Sequence, residues 1–113
     1  MTHYKNGDVI LIEFPYSDLS GVKKRPVAVL ASIPHRRELI VVMLTSTKKI
    51  DAAVDYPIQN TRKAGLKEVT HARTSRLFTV KESSSLRKLG ELDDKESEVI
   101  VTKVISILRE NRN

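Results

Sequence analysis

The chain has 113 residues, carries 20 Lys and Arg against 14 Asp and Glu for a formal net charge of +6, and contains no cysteine. That length fits one domain over residues 1–113, and the missing cysteines exclude disulfides and thiolate metal sites and make a reducing cytoplasm the expected compartment. No apolar run approaches the ~20 residues of a membrane span. Met1-Thr2-His3-Tyr4-Lys5 lacks the apolar block of a signal peptide, so no membrane partner is expected.

Gly7-Asp8 reads as a turn, and the β-branched run at 9–14 as a buried strand. Residues 15–21 are turn formers, a loop carrying Tyr16. Pro26 favours an extended backbone at Arg25 and suits a strand start, followed by a strand at 27–32. After a polar loop at 34–37, residues 39–44 are apolar throughout, as in a central strand, which ends in Thr45-Ser46-Thr47-Lys48-Lys49. Pro57 places a weak strand at 54–58 on an edge. Two short strands are predicted at 69–72 and 76–80, then a turn or short helical piece at 81–85. Residues 86–92 are ambiguous because Gly90 interrupts them. Asp93 as N-cap, with Glu96 three residues on in a capping-box pattern, opens a helix. Its apolar stripe is Ile100, Val101, Val104, Ile105 and Leu108. Many short strands and one terminal amphipathic helix predict a mainly β fold, a partly open barrel closed by that helix.

The positive charge is concentrated. Residues 21–76 hold 12 basic and 4 acidic groups, a net +8, while residues 1–20 carry −2 and residues 77–113 balance to zero. A phosphate-bearing partner accounts for such a segment, and so does solvated lysine kept for solubility. Lys23 and Lys24 are candidate phosphate contacts, and Pro26 gives Arg25 a rigid base from which its guanidinium fork can meet a phosphate. A charged hairpin tip is the plainer alternative. Thr45 and Ser46 put small hydroxyl donors at a sheet rim beside Lys48, although strand ends often hydrogen-bond in this way without a ligand. His71, in a basic segment with Arg73 and Arg76, has the chemistry of a general base near neutral pH, and a structural histidine fits the position too. His3 and His35 look like terminus and loop residues. The histidines have no metal-ligand spacing, and neither a Gly-rich phosphate loop nor a G-x-S-x-G is present, so no metal or cofactor is expected. Tyr16 could stack a base, while Phe14 and Phe78 suit the core.

Gly7-Asp8-Val9-Ile10, then Arg25-Pro26-Val27-Ala28-Val29-Leu30, then an apolar strand ending in Thr45, resembles the MazF/PemK toxins. Arg76-Leu77-Phe78 and the Leu89-Gly90-Glu91-Leu92-Asp93 entry to the helix fit the same family. The resemblance implies an SH3-like barrel of the MazF/PemK/CcdB type and metal-independent cleavage of single-stranded RNA. It also implies a homodimer and a small acidic antitoxin protein as partner. Arg25 matches the family's active-site arginine and Thr45 its threonine, with Ser46 one residue away. Lys23, Lys24, Lys48, Arg73, Arg76 and Tyr16 would then hold RNA, and His71 would be the base. The loop before Arg25 lacks the S-E-Q or H-E-Q of many members, and Arg73 stands where the PemK branch has an aspartate. Two other functions fit the same fold: a non-catalytic RNA-binding module, and a toxin that binds a protein such as a topoisomerase.

Overall fold

The computed structural model describes residues 4–14 and 23–110. The 15–21 loop with Tyr16, His3 and the side chain of Phe14 lie outside the described residues. Six strands form one antiparallel sheet: β1 (Asp8–Phe14), β2 (Lys23–Ile33), β3 (Glu38–Thr45), β4 (Asp55–Pro57), β5 (His71–Lys81) and β6 (Ser85–Glu91). Their spatial order is β4-β5-β3-β2-β1-β6, and helix α1 (Asp94–Glu110) follows. The fold is mainly β with one helix, as the sequence pattern predicts.

Strand alternation sends apolar residues to both faces. Val9, Ala28, Val42, Leu44 and Ala72 pack with Ile100 of α1, while Ile10, Ile12, Val27, Val29, Leu39 and Val41 build a second cluster. A sheet buried on both sides explains why residues 39–44 show no polar alternation. β2 begins at Lys23, so Pro26 is internal to the strand and lies opposite Leu11.

The two short strands predicted around 69–80 are one strand carrying a bulge. Val42 pairs with Leu77 but Met43 pairs with Arg73, which leaves Thr74, Ser75 and Arg76 without partners on β3. Thr74 instead donates its amide and its hydroxyl to the Val54 carbonyl, at 2.9 and 2.6 Å, and so draws β4 onto the sheet edge.

The gap between the edge strands β4 and β6 is bridged by the segment after β4. The Glu91 amide donates to the Lys63 carbonyl at 3.0 Å. A Cβ on Gly65, where φ is +74°, would collide with the Leu89 backbone, and one on Gly90 would collide with Lys63 and Ala64. Two glycines thus permit backbone to lie on backbone. Helix α1 reinforces this bridge. The buried Glu96 carboxylate accepts the amides of Gln59 (2.6 Å) and Asn60 (3.0 Å) and the Tyr56 hydroxyl (2.9 Å). Glu96, in the first turn of the helix, therefore clasps a loop, and the Asp93 carboxylate beside it accepts from Asn60 and Lys63. Burial, then its bond to Glu96, pushes the Tyr56 hydroxyl up to about 12. In the helical stripe, Ile100 and Val104 are buried, whereas Ile105 and Leu108 are exposed.

Candidate nucleic-acid interface and active site

A cleft of about 770 Å³ opens where the start of β2, the end of β3, the bridging segment and β6 converge. β2 contributes Lys23, Lys24, Arg25 and Pro26, and the exit of β3 contributes Thr45, Ser46 and Thr47. The opposite wall is Gly65 to Glu68 with Thr70, and β6 adds Arg87 and Leu89. Leu44, Leu66, Leu89 and Pro26 give it an apolar floor between charged rims.

Sheet register explains why these groups meet. Val27 faces Met43, and Arg25 and Thr45 each lie two residues beyond that pair, where both strands enter the cleft. On the other side of β3, Thr45 pairs with His71. Arg25 is half-buried and Thr45 buried. The Thr45 Oγ1 accepts the Thr47 amide at 3.2 Å, which leaves its own proton to donate. The Thr47 hydroxyl accepts the Lys49 amide in the same manner, so ordinary strand-end bonding orients the rim hydroxyls.

Charge in the cleft is unbalanced. Lys23, Lys24, Arg25, Lys67 and Arg87 line it with Glu68 as the one lining carboxylate, and none of the five cations makes an ion pair with a described acidic residue. Unpaired cations held together in a concave surface repel one another and favour a polyanion.

The remaining candidates from the sequence sit elsewhere. Lys48 is exposed just after the cleft-lining hydroxyls and does not itself line the cleft. Arg76 is exposed in the β5 bulge, outside the lining. Arg73 is engaged with a buried acid. Its Nε and Nη2 donate to Asp55 at 3.0 and 3.1 Å, and Nη2 also donates to the Lys49 carbonyl at 3.0 Å. The Asp55 carboxylate further accepts the Asp51 amide at 2.8 Å. Burial by itself would raise the Asp55 carboxyl, but the Arg73 and Asp51 bonds and the nearby charges of Arg73 and His71 outweigh it and hold it below the ordinary aspartate value. His71 is half-buried, lies behind the lining, and has a buried Nδ1 without a hydrogen-bond partner. Among the described residues no group of His, Asp or Glu is arranged to hold a metal ion.

Lys67, Glu68, Thr70 and Arg87 were not singled out from the sequence. Lys67 lies inside the basic segment, so its charge was visible, whereas Arg87 lies in the neutral last third on a strand obscured by Gly90.

Residues 5–108 match the family model of the PemK-like, MazF-like toxins of type II toxin–antitoxin systems. The chain belongs to that family. Solved structures share the fold. A mycobacterial endoribonuclease, solved in complex with its cognate antitoxin, superposes with a TM-score of 0.74 at 16% identity, covering 93% of this chain and 94% of that one. The Mycobacterium tuberculosis toxin MazF-mt6 gives 0.71 at 17% identity, over 90% and 96%. A MazE–MazF structure from Deinococcus radiodurans gives 0.73 at 15% identity, over 96% and 97%. No curated protein sequence matched the chain. Family and fold agree with the MazF/PemK-type barrel that the Gly7-Asp8-Val9 and Arg25-Pro26-Val27 segments suggest.

Proposed function

We propose that this toxin-family chain is an endoribonuclease that cuts single-stranded RNA in the cleft, works in the cytoplasm as a homodimer, and is neutralised by an acidic antitoxin. The single observation that carries the reading is a cleft lined by Arg25, Thr45 and a group of five cations that pair with no acid among the described residues. Among the described residues no helix is long and apolar enough to cross a membrane, and several structures of the same fold were solved with antitoxins.

The reaction asks little of the protein because the nucleophile belongs to the substrate. The ribose 2′-oxygen bonds to the adjacent phosphorus, the bond from phosphorus to the 5′-oxygen breaks, and a 2′,3′-cyclic phosphate forms. The proton of the 2′-hydroxyl passes to a base, and the departing 5′-oxygen takes up a proton. Holding attack and departure in line supplies much of the acceleration. Arg25 stabilises the charge that grows on the phosphorane-like transition state. Thr45 donates to a non-bridging oxygen. His71, paired with Thr45 across the strands, is the candidate base. Lys23 and Lys24 hold the strand, with Lys67 and Arg87 on the facing wall, while Ser46 lies next to Thr45 as a second donor. Arg73 serves the site through Asp55 and the Lys49 carbonyl rather than through the cleft lining.

The test is incubation of the purified chain with mixed single-stranded RNA in EDTA. Cleavage with cyclic-phosphate ends is expected. Intact RNA in EDTA with cleavage restored by Mg²⁺ would refute the mechanism. RNA that binds but stays intact under every condition would leave the non-catalytic module as the function.

A further inference from the structure

Among the described residues one carboxylate lines the cleft. Glu68 stands beside Lys67 in the lining that also holds Lys23, Lys24 and Arg25. A carboxylate in a phosphate groove repels the backbone it lines and lowers the general affinity for RNA. Its position is nonetheless built. Thr70, only 4% exposed, donates its hydroxyl to the Glu68 carbonyl at 2.8 Å, and the Thr70 carbonyl accepts the Ile58 amide at 3.0 Å. Upstream, the Gly65–Leu89 backbone contact fixes the same wall. Among the described residues the Glu68 carboxylate joins no ion pair, although five cations line the same cleft. The backbone is thus anchored while the acceptor oxygens remain exposed.

An exposed acceptor pair with no cation of its own among the described residues is suited to hydrogen-bond donors that carry no phosphate charge; on RNA these are the single 2′-hydroxyl of each ribose and the base edges, and only a base edge offers two adjacent donors to two oxygens. We infer that Glu68 is a specificity residue that reads one nucleobase of the substrate through its Watson–Crick edge, favouring bases that present an amino group and rejecting uracil. Guanine fits best, because its N1–H and N2–H donors lie side by side and match the two carboxylate oxygens. Cytosine and adenine each offer an amino group next to a ring acceptor. Uracil offers a single N3–H between two carbonyls, both of which repel a carboxylate. The cations then supply affinity without regard to sequence, and Glu68 makes one position selective.

This inference rests on the proposed RNA cleft, and two measurements separate the failure of one from the failure of the other. The first maps cleavage ends on mixed RNA by sequencing, for the wild-type chain, Glu68→Ala and Glu68→Gln. The wild type should show one position in its motif where an amino-bearing base is preferred over uracil by about tenfold, the scale of one good base contact. Glu68→Ala should flatten that position, and Glu68→Gln, which can both donate and accept, should admit uracil there. The second measures which members of a randomised single-stranded oligonucleotide pool, 2′-O-methylated to prevent cleavage, each protein retains. The same base preference should appear with wild type and vanish with Glu68→Ala. Identical motifs in all three proteins would overturn the role of Glu68 while leaving the nuclease reading intact. A wild type that neither cuts RNA nor retains any oligonucleotide would overturn both.

Discussion

The cleft and the β4–β5 edge beside it treat charge in opposite ways. At the edge, Arg73 is locked by two bonds to Asp55 and one to the Lys49 carbonyl, and Asp55 is satisfied by Arg73 and the Asp51 amide. In the cleft, five cations have no described acidic partner. Two arginines on strands that flank β3 therefore perform different tasks. Arg73 holds residues 49–55 against the sheet, so that the segment leaving the rim hydroxyls has both ends pinned. Arg25 stays available. Pairing, rather than the density of positive charge along the chain, separates a binding group from a structural one.

The sharpest way to break this comparison is to remove one arginine from each region. Arg25→Ala should leave the fold intact and lower cleavage a hundredfold or more, by analogy with roughly 10²–10³ for the loss of one transition-state donor. Cyclic-phosphate product formation, followed alongside circular dichroism, checks it. An effect no larger than that of Lys23→Ala would reduce Arg25 to one more phosphate anchor.

Arg73→Ala should act on stability first. It leaves the buried Asp55 carboxylate without its cation, a cost of roughly 2–3 kcal/mol at neutral pH. The effect depends on pH. In the wild type the Asp55 carboxyl is held below its ordinary 3.8, so its contribution to stability is complete above that value and is lost as pH falls through the lower folded one. In the variant, burial dominates and raises the same group, so protonation relieves the penalty on acidification. Urea unfolding should show a wide gap between the two proteins at pH 7 that narrows towards pH 3.5. A gap that does not change with pH would mean Arg73 stabilises through packing alone.

Lys23→Ala should give the smallest effect. RNA binding should weaken modestly, and the slope of log affinity against log salt should fall by about 0.7, the value for one phosphate contact on a single strand. An unchanged slope would move Lys23 off the RNA path.

Much of the fold was written locally. The buried strands, the edge position fixed by Pro57 and the terminal helix follow from short-range pattern, and the Arg25 and Thr45 positions follow from strand ends. What escaped depended on distant partners. The alternation in β5 fails at Thr74-Ser75-Arg76 because Thr74 bonds to Val54 across the bulge. β6 was obscured by Gly90, whose reason is the bridging backbone some 25 residues away in sequence. Arg73 and Asp55 are separated by 17 intervening residues and become partners only through strand pairing, so the sequence shows a basic residue and not its engagement. Glu96 fits a capping-box position, yet its carboxylate serves a loop 36 residues upstream.

The close approach of Gly65 to Leu89, and of Gly90 to Lys63 and Ala64, has a further consequence. Most grooves owe their width to side chains, which change rotamer and let the walls breathe. Here one wall is gauged by main chain against main chain, so the spacing between Glu68 and the cations opposite is set by bond geometry. A methyl group at either glycine would be a wedge driven into that joint, shifting the whole wall while altering no charge. In this chain the caliper of the groove is written in two residues that have no side chain at all.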